Sequence, residues 1–406
     1  MMIRRRQKWA MLAITALGLA GGIPAGASEQ TGSLPTYTPA YEPKSGDERD
    51  LWMYAAAAER ELQQSPQLVR DPGLNGYVRR VLCETVGDDR CNAVRVYILD
   101  QPVVNAGMAP NGAMMVWTGL LLRTRSEAEL GAVLGHEFAH FELRHSLGGL
   151  KVVRAVTDER NIERDAGKRS GGKLGREKDR AALKQYFSYS RAQEEAADLL
   201  GMQYLAASRY PAAAAAWNWD HQIEEEDASQ AERRRSGRRL LEDNEDDEDG
   251  DFYSTHPSNR DRGARLTALA AEYSDAADDP DVAGHQQAIA PHLARMLSAQ
   301  VQQEDFGATE YLLKTLAASK GWDADLLYAR AENHSMRGHA DDHAEAAKYY
   351  REAIDHGMTR ADVHRDLGFS LVKAGRKAEA RSELATYLQL VPNAADEPEV
   401  RAMMEP

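Results

Sequence analysis

The sequence predicts a mainly α protein: a helical domain that carries a small β-sheet, followed by an α-solenoid. Three observations point there. Long stretches, among them 47–81, 127–143 and 188–208, read as helix. Only two short runs, 93–100 and 113–118, read as strands; the first is rich in branched residues and the second follows the turn signal Pro110-Asn111-Gly112. Near the C-terminus a triplet of positions recurs, Ala308, Leu312 and Thr315, then Ala346, Tyr350 and Ala353, then Ala380, Leu384 and Tyr387. Recurrence every 34 to 38 residues is the mark of stacked helical pairs.

Taken in order, Arg4, Arg5, Arg6 and Lys8 precede an apolar stretch from Trp9 to Leu19 and a small-residue Ala25-Gly26-Ala27 site. This is the layout of a cleavable secretory signal over 1–27. An uncleaved anchor is the alternative, for which the run is short against the ~20 residues of a membrane span. No later segment is long and apolar enough to cross a bilayer, so the mature chain is expected to have no transmembrane span. Losing 1–27 removes four positive charges and moves the formal net charge from -14 to -18. So acidic a chain is a poor nucleic-acid binder.

Residues 28–46, rich in Pro, Thr, Ser and Gly, read as a linker. The helical stretch 47–81 breaks around Asp71-Pro72-Gly73. Cys83 and Cys91 are the only cysteines; in an exported chain they predict one disulfide closing a short loop, with two free thiols the alternative. Ser126 is a suitable N-cap for the helix beginning at Glu127. The charged stretch 151–184 contains Gly171, Gly172 and Gly175 and suggests a mobile excursion. Alternating acidic and basic blocks over 224–251 predict a charged mobile loop or lid. A first domain over 47–275 and a repeat domain over 276–406 follow. The last repeat carries Leu367-Gly368 and ends at Pro392, which looks like tetratricopeptide repeats.

The chemistry lies in Gly135-His136-Glu137-Phe138-Ala139-His140. Residues four apart on a helix are about 40° apart around its axis, so both imidazoles can meet one metal ion. Glu137 then sits where it can work on a water at the metal. A hydrolytic zinc site takes three protein ligands and keeps one position open. A second helix with Glu194 and Asp198, four apart, supplies the missing carboxylate and a partner for an imidazole N–H. Glu194 is assigned to zinc and Asp198 to the second shell, with Glu195 the competing ligand. His145, about 140° around the helix from His140, reads as structural.

With these motifs in place, the chain resembles the HtpX-like and CAAX-prenyl-protease-like zinc metallopeptidases over roughly 77–266. The resemblance rests on Asn105-Ala106, Gly119-Leu120, Glu127 to Leu130, the His136 to His140 motif, Arg144-His145, Ser190-Arg191 with Glu194 and Asp198, and Thr255-His256-Pro257 with Arg262. It implies a gluzincin-type domain holding one Zn2+ per chain. With a secretion signal and C-terminal repeats, the chain is similar to the periplasmic branch of beta-barrel assembly-enhancing proteases. That implies a soluble endopeptidase acting on unfolded or misassembled envelope proteins, with the outer-membrane assembly machinery a partner of the repeats. Gly107 stands where an aromatic is often found, and Pro110-Asn111-Gly112 replaces Pro-Gly-Gly.

The expected mechanism makes Glu137 the proton carrier. His256 and Arg262 are expected to stabilise the oxyanion, or His256 to occupy the fourth metal position as a latch. The strand 113–117 could pair with an extended substrate, with a purely structural strand the alternative. A chaperone or assembly adaptor with a latent peptidase is the competing function.

Overall fold

The computed structural model describes residues 45–145, 191–237, 259–273 and 280–405, together with Leu34 and Pro43. The signal over 1–27, the charged excursion over 151–184, residues 238–251 and His256 lie outside the described residues. Among those described, no helix is long and apolar enough to cross a membrane.

Helix α1 (Gly46–Gln64) leads to α2 (Pro72–Val86), and the break between them is chemical. The Asp71 side chain accepts from the Leu74 N–H, and Pro72 follows at a position where the missing N–H costs nothing. A single turn, α3 (Asp88–Cys91), follows, and Cys83 and Cys91 are joined in a disulfide.

The sheet has the order β1 (Arg95–Leu99), β3 (Ala113–Trp117), β2 (Ala106–Met108). β1 runs parallel to β3, and β2 pairs with it antiparallel across the Asn111-Gly112 turn. Gly112 has φ 87°, and a Cβ there would lie 2.4 Å from the Ala93 carbonyl oxygen. The expectation that 113–117 pairs with substrate fails, because β3 is central and both its edges are occupied. Among the described residues no strand lies on the outer edge of β2, whose Ala-Gly-Met sequence carries no strand pattern.

Next come α4 (Thr118–Arg123) and α5 (Glu127–Glu142), the latter capped by Ser126, which accepts from the Glu129 N–H. α6 covers 191–207. α7 (Ala214–Arg235) runs through 224–235, so half of the expected mobile loop is helix. The described part of the charged stretch packs because its charges find partners on other elements. Arg123 binds Glu225, Arg233 binds Asp305, and Arg337 and His339 bind Glu232.

The remaining helices are α8 (Asn259–Ala270), α9 (Val282–Ile289), α10 (Leu293–Val301), α11 (Phe306–Lys320), α12 (Ala324–Arg337), α13 (Asp342–Asp355), α14 (Asp362–Lys373), α15 (Lys377–Leu390) and α16 (Glu397–Met403). The repeating triplet falls on α11, α13 and α15, where all of its members except Thr315 are buried. One apolar core runs across residue 275. Leu293, Leu297, Leu312, Leu316 and Leu326 share one apolar cluster with Val78, Leu130 and Phe138, whereas Leu327, Tyr328, Ala346 and Leu367 belong to a second. The first turn of α5 even donates backbone N–H groups to the carbonyls of Pro280 and Asp281.

Beside the second core, burial and then the charge of Asp366 push the Glu332 carboxyl from 4.5 up to about 7. The folded chain therefore holds a proton that the unfolded one releases, so this stabilising contribution is full below pH 4.5 and lost as pH rises through about 7. Denaturant unfolding of the full chain is expected to show lower repeat stability at pH 8 than at pH 5. Glu332→Gln should remove on the order of 2 kcal/mol of that difference.

Candidate metal centre and cleft

The site is made by α6 lying directly against α5. A Cβ on Gly201 would sit 3.1 Å from the Cα of His136, a contact tight enough that even a methyl group would require the helices to give by a few tenths of an ångström. Asp198 and Glu194 lie one and two turns before Gly201 on the same face of α6. Close approach at the glycine therefore carries both carboxylates to the two histidines.

His136 Nε2 and His140 Nε2 are 3.0 Å apart. Each is 3.3 Å from one Glu194 oxygen, and Glu194 is only 3% exposed. Donors at 2.0–2.2 Å from a tetrahedral zinc ion are separated by about 3.3 Å, close to these spacings, with His136 facing Glu194 Oε2 and His140 facing Oε1. Asp198 Oδ1 accepts from His136 Nδ1 at 3.1 Å, which leaves the Nε2 lone pair facing the cluster. Burial and the Arg262 charge push His136 down, but hydrogen bonds and charge from Asp198 and Glu194 outweigh them and raise it to about 9. The field at this point favours a cation. Burial raises the Asp198 carboxyl, yet His136 and Arg262 bring it down to about 2.

His145 is outside the donor group and structural, as expected, but it lies nearer to His140 than a helical wheel places it. α5 ends at Glu142, and Arg144 takes φ 57°, so the chain turns back instead of continuing the helix. The turn places His145 Nδ1 2.9 Å from His140 Nδ1, with His145 6% exposed. Burial, then the neighbouring His140, lowers His145 to about 3, so it is neutral and can accept the His140 N–H. The pairing of Arg144 with His145 in the sequence is the available signal.

Glu137 lies with His136 on the wall of a cavity of about 270 Å³. Glu195 is no competitor for the metal: its side chain is 60% exposed and pairs with Arg265 at 3.0 Å. Arg262, assigned from sequence to the oxyanion, is 2% exposed. Its guanidinium binds Asp198 at 2.6 Å and Glu194 at 3.1 Å, and stacks 4.1 Å from the Trp219 ring. It reaches the cavity wall while compensating the two buried carboxylates.

Beside the cavity, the β2 ladder alternates. Asn105 O and Ala109 N bond to β3, which turns the N–H and C=O of Ala106 and Met108 toward the open edge. A strand can be added there.

Residues 72–270 match the model of Peptidase family M48, and residues 339–405 match a tetratricopeptide repeat model. The chain carries a peptidase family M48 domain. That family is one of metal-dependent peptidases. Mitochondrial metalloendopeptidase OMA1 of Schizosaccharomyces pombe is 28% identical over 188 residues, 46% of this chain and 50% of that protein. The putative beta-barrel assembly-enhancing protease of Vibrio cholerae is 27% identical over 180 residues, 39% of this chain and 35% of that protein. The human mitochondrial metalloendopeptidase OMA1 is 37% identical over 76 residues, 17% and 14% of the two chains. The chain thus spans half or less of the length of these relatives.

His145→Ala is expected to weaken zinc binding about 10-fold or more by freeing the His140 ring, without removing a ligand. Competition against a chelator of known affinity measures this; unchanged affinity would make His145 a packing residue only.

Proposed function

We propose that this chain is a zinc-dependent endopeptidase of the bacterial periplasm, acting on unfolded or misassembled envelope proteins, with its repeats recruiting substrate or the outer-membrane assembly machinery. The observation that carries the reading is the convergence of His136, His140 and Glu194, donor atoms that all lie within 4.8 Å of one another, beside Glu137 and an open sheet edge. A signal-like N-terminus and the Cys83–Cys91 disulfide support export to an oxidising compartment. The Vibrio relative's name and the repeat match support the substrate and partner class.

His136, His140 and Glu194 would hold one zinc ion, with Asp198 and His145 fixing the two imidazoles. Bound there, zinc would supply a Lewis acid that acidifies a water and polarises the scissile carbonyl. Glu137 takes the proton from the attacking water and delivers it to the departing amine. Ala106 and Met108 hold the substrate backbone extended by edge pairing, so recognition of the main chain is independent of sequence. Arg262 acts as a positioning residue that keeps Asp198 and Glu194 ionised and in place. The tetratricopeptide match also favours a second reading, an assembly adaptor whose peptidase is latent.

Glu137→Gln is expected to retain one zinc per chain and lose at least ~100-fold in cleavage of an unfolded protein. Metal analysis together with a casein-type assay checks both halves. Full activity in the variant would remove Glu137 from the mechanism, and a metal-loaded wild type without cleavage would favour the adaptor.

A further inference from the structure

Resting on the reading of His136, His140 and Glu194 as ligands, we propose that Arg90 is a positioning residue for the metal: tethered by the Cys83–Cys91 disulfide, it holds the last turn of α5, and with it His140, through Glu142.

Glu142 is the final residue of α5, and His140 lies in the same turn. A carboxylate is out of place there on two counts. The carbonyl end of a helix disfavours negative charge, and the side chain is only 16% exposed, where an unpaired charge is costly. Its partners offset both. Arg90 Nε donates to Glu142 Oε2 at 3.1 Å, and the Tyr204 hydroxyl on α6 donates to the same oxygen. The guanidinium also lies 5.6 Å from the centre of the Tyr204 ring. One cation thus joins the end of α5 to α6, directly before the reversal at Arg144 that brings His145 against His140.

Arg90 itself sits on an element that cannot hold its own shape. α3 has four residues and no side-chain cap, far below the ~12 residues at which an isolated helix is even marginal. Cys91, the next residue and 1% exposed, is bonded to Cys83 in the body of α2. α2 in turn lies close against α5, where a Cβ on Gly131 or Gly135 would meet the Thr85 side chain at 2.5 or 3.2 Å. α2 therefore grips α5 twice, directly beside these glycines and, by way of the disulfide, Arg90 and Glu142, at its end. Zinc affinity then depends on a disulfide that supplies no ligand.

The test is the zinc affinity of the oxidised full chain, measured by competition with a chelator, alongside the denaturant midpoint of the metal-free protein. Arg90→Ala is expected to bind zinc about 10-fold more weakly, and Arg90→Lys, which keeps the charge, to recover most of that loss. Cys83→Ala combined with Cys91→Ala should weaken binding by a similar factor although Arg90 is intact. Adding Arg90→Ala to that pair should weaken it little further, because both act by one route. Wild-type affinity in Arg90→Ala or in the cysteine pair, with only the midpoint lowered, overturns the inference, as do fully additive losses. If Arg90→Ala does not fold, the cysteine pair decides alone. Failure of the wild type to bind zinc overturns the metal reading and this inference with it.

Discussion

Two helices touching where a glycine meets a histidine set the terms for the rest of this molecule. With no side chain on Gly201, α6 comes close enough to His136 for a carboxylate from one helix to face two imidazoles on the other. Buried charge at such a point is costly unless compensated. The surroundings consist largely of that compensation: Arg262 and Arg265 on Asp198, Arg262 again on Glu194, and the Trp219 ring on the Arg262 face. The result is rigid support around a cluster whose own preference is for a cation.

Charge pairing of the same kind links the centre to the C-terminal helices. α7 walls the cleft with Ala215, Asn218 and Trp219, and further along is held by Arg123, Asp305, Arg337 and His339. Gly307 lets α11 approach so closely that a Cβ would meet the Ala228 carbonyl oxygen at 2.3 Å. Helices α9 to α11 thus share the core of the metal-binding helices, and α12 faces two ways, with Leu326 and Ala329 on that core and Leu327, Tyr328 and Ala331 on the next.

Much of the centre is legible in the amino-acid order alone. The His136 to His140 spacing lies within one helix, and Glu194 with Asp198 lies within another, so local periodicity is enough to nominate all four, while the disulfide follows from there being only two cysteines, close together in sequence. What stays hidden depends on tertiary contacts or on a break in periodicity. A helical wheel extended past Glu142 misplaces His145, because the backbone reverses at Arg144. β2 escapes detection because Ala106, Gly107 and Met108 make a strand only beside β3. The charged stretch reads as mobile because its counter-charges lie 72 to 107 residues away in sequence. Arg262 is visible as a functional residue from the sequence, but its hydrogen bonds to Asp198 are not, because they join residues 64 apart.

Everything at this centre rests on which residues bind the metal. X-ray absorption at the zinc edge, paired with an anomalous difference map of the zinc-loaded protein, reads this directly. The expected result is one four-coordinate ion with the nitrogens of His136 and His140, a Glu194 oxygen and a light atom from solvent. An ion bound without Glu194, or held at the acidic surface instead of between α5 and α6, would contradict it.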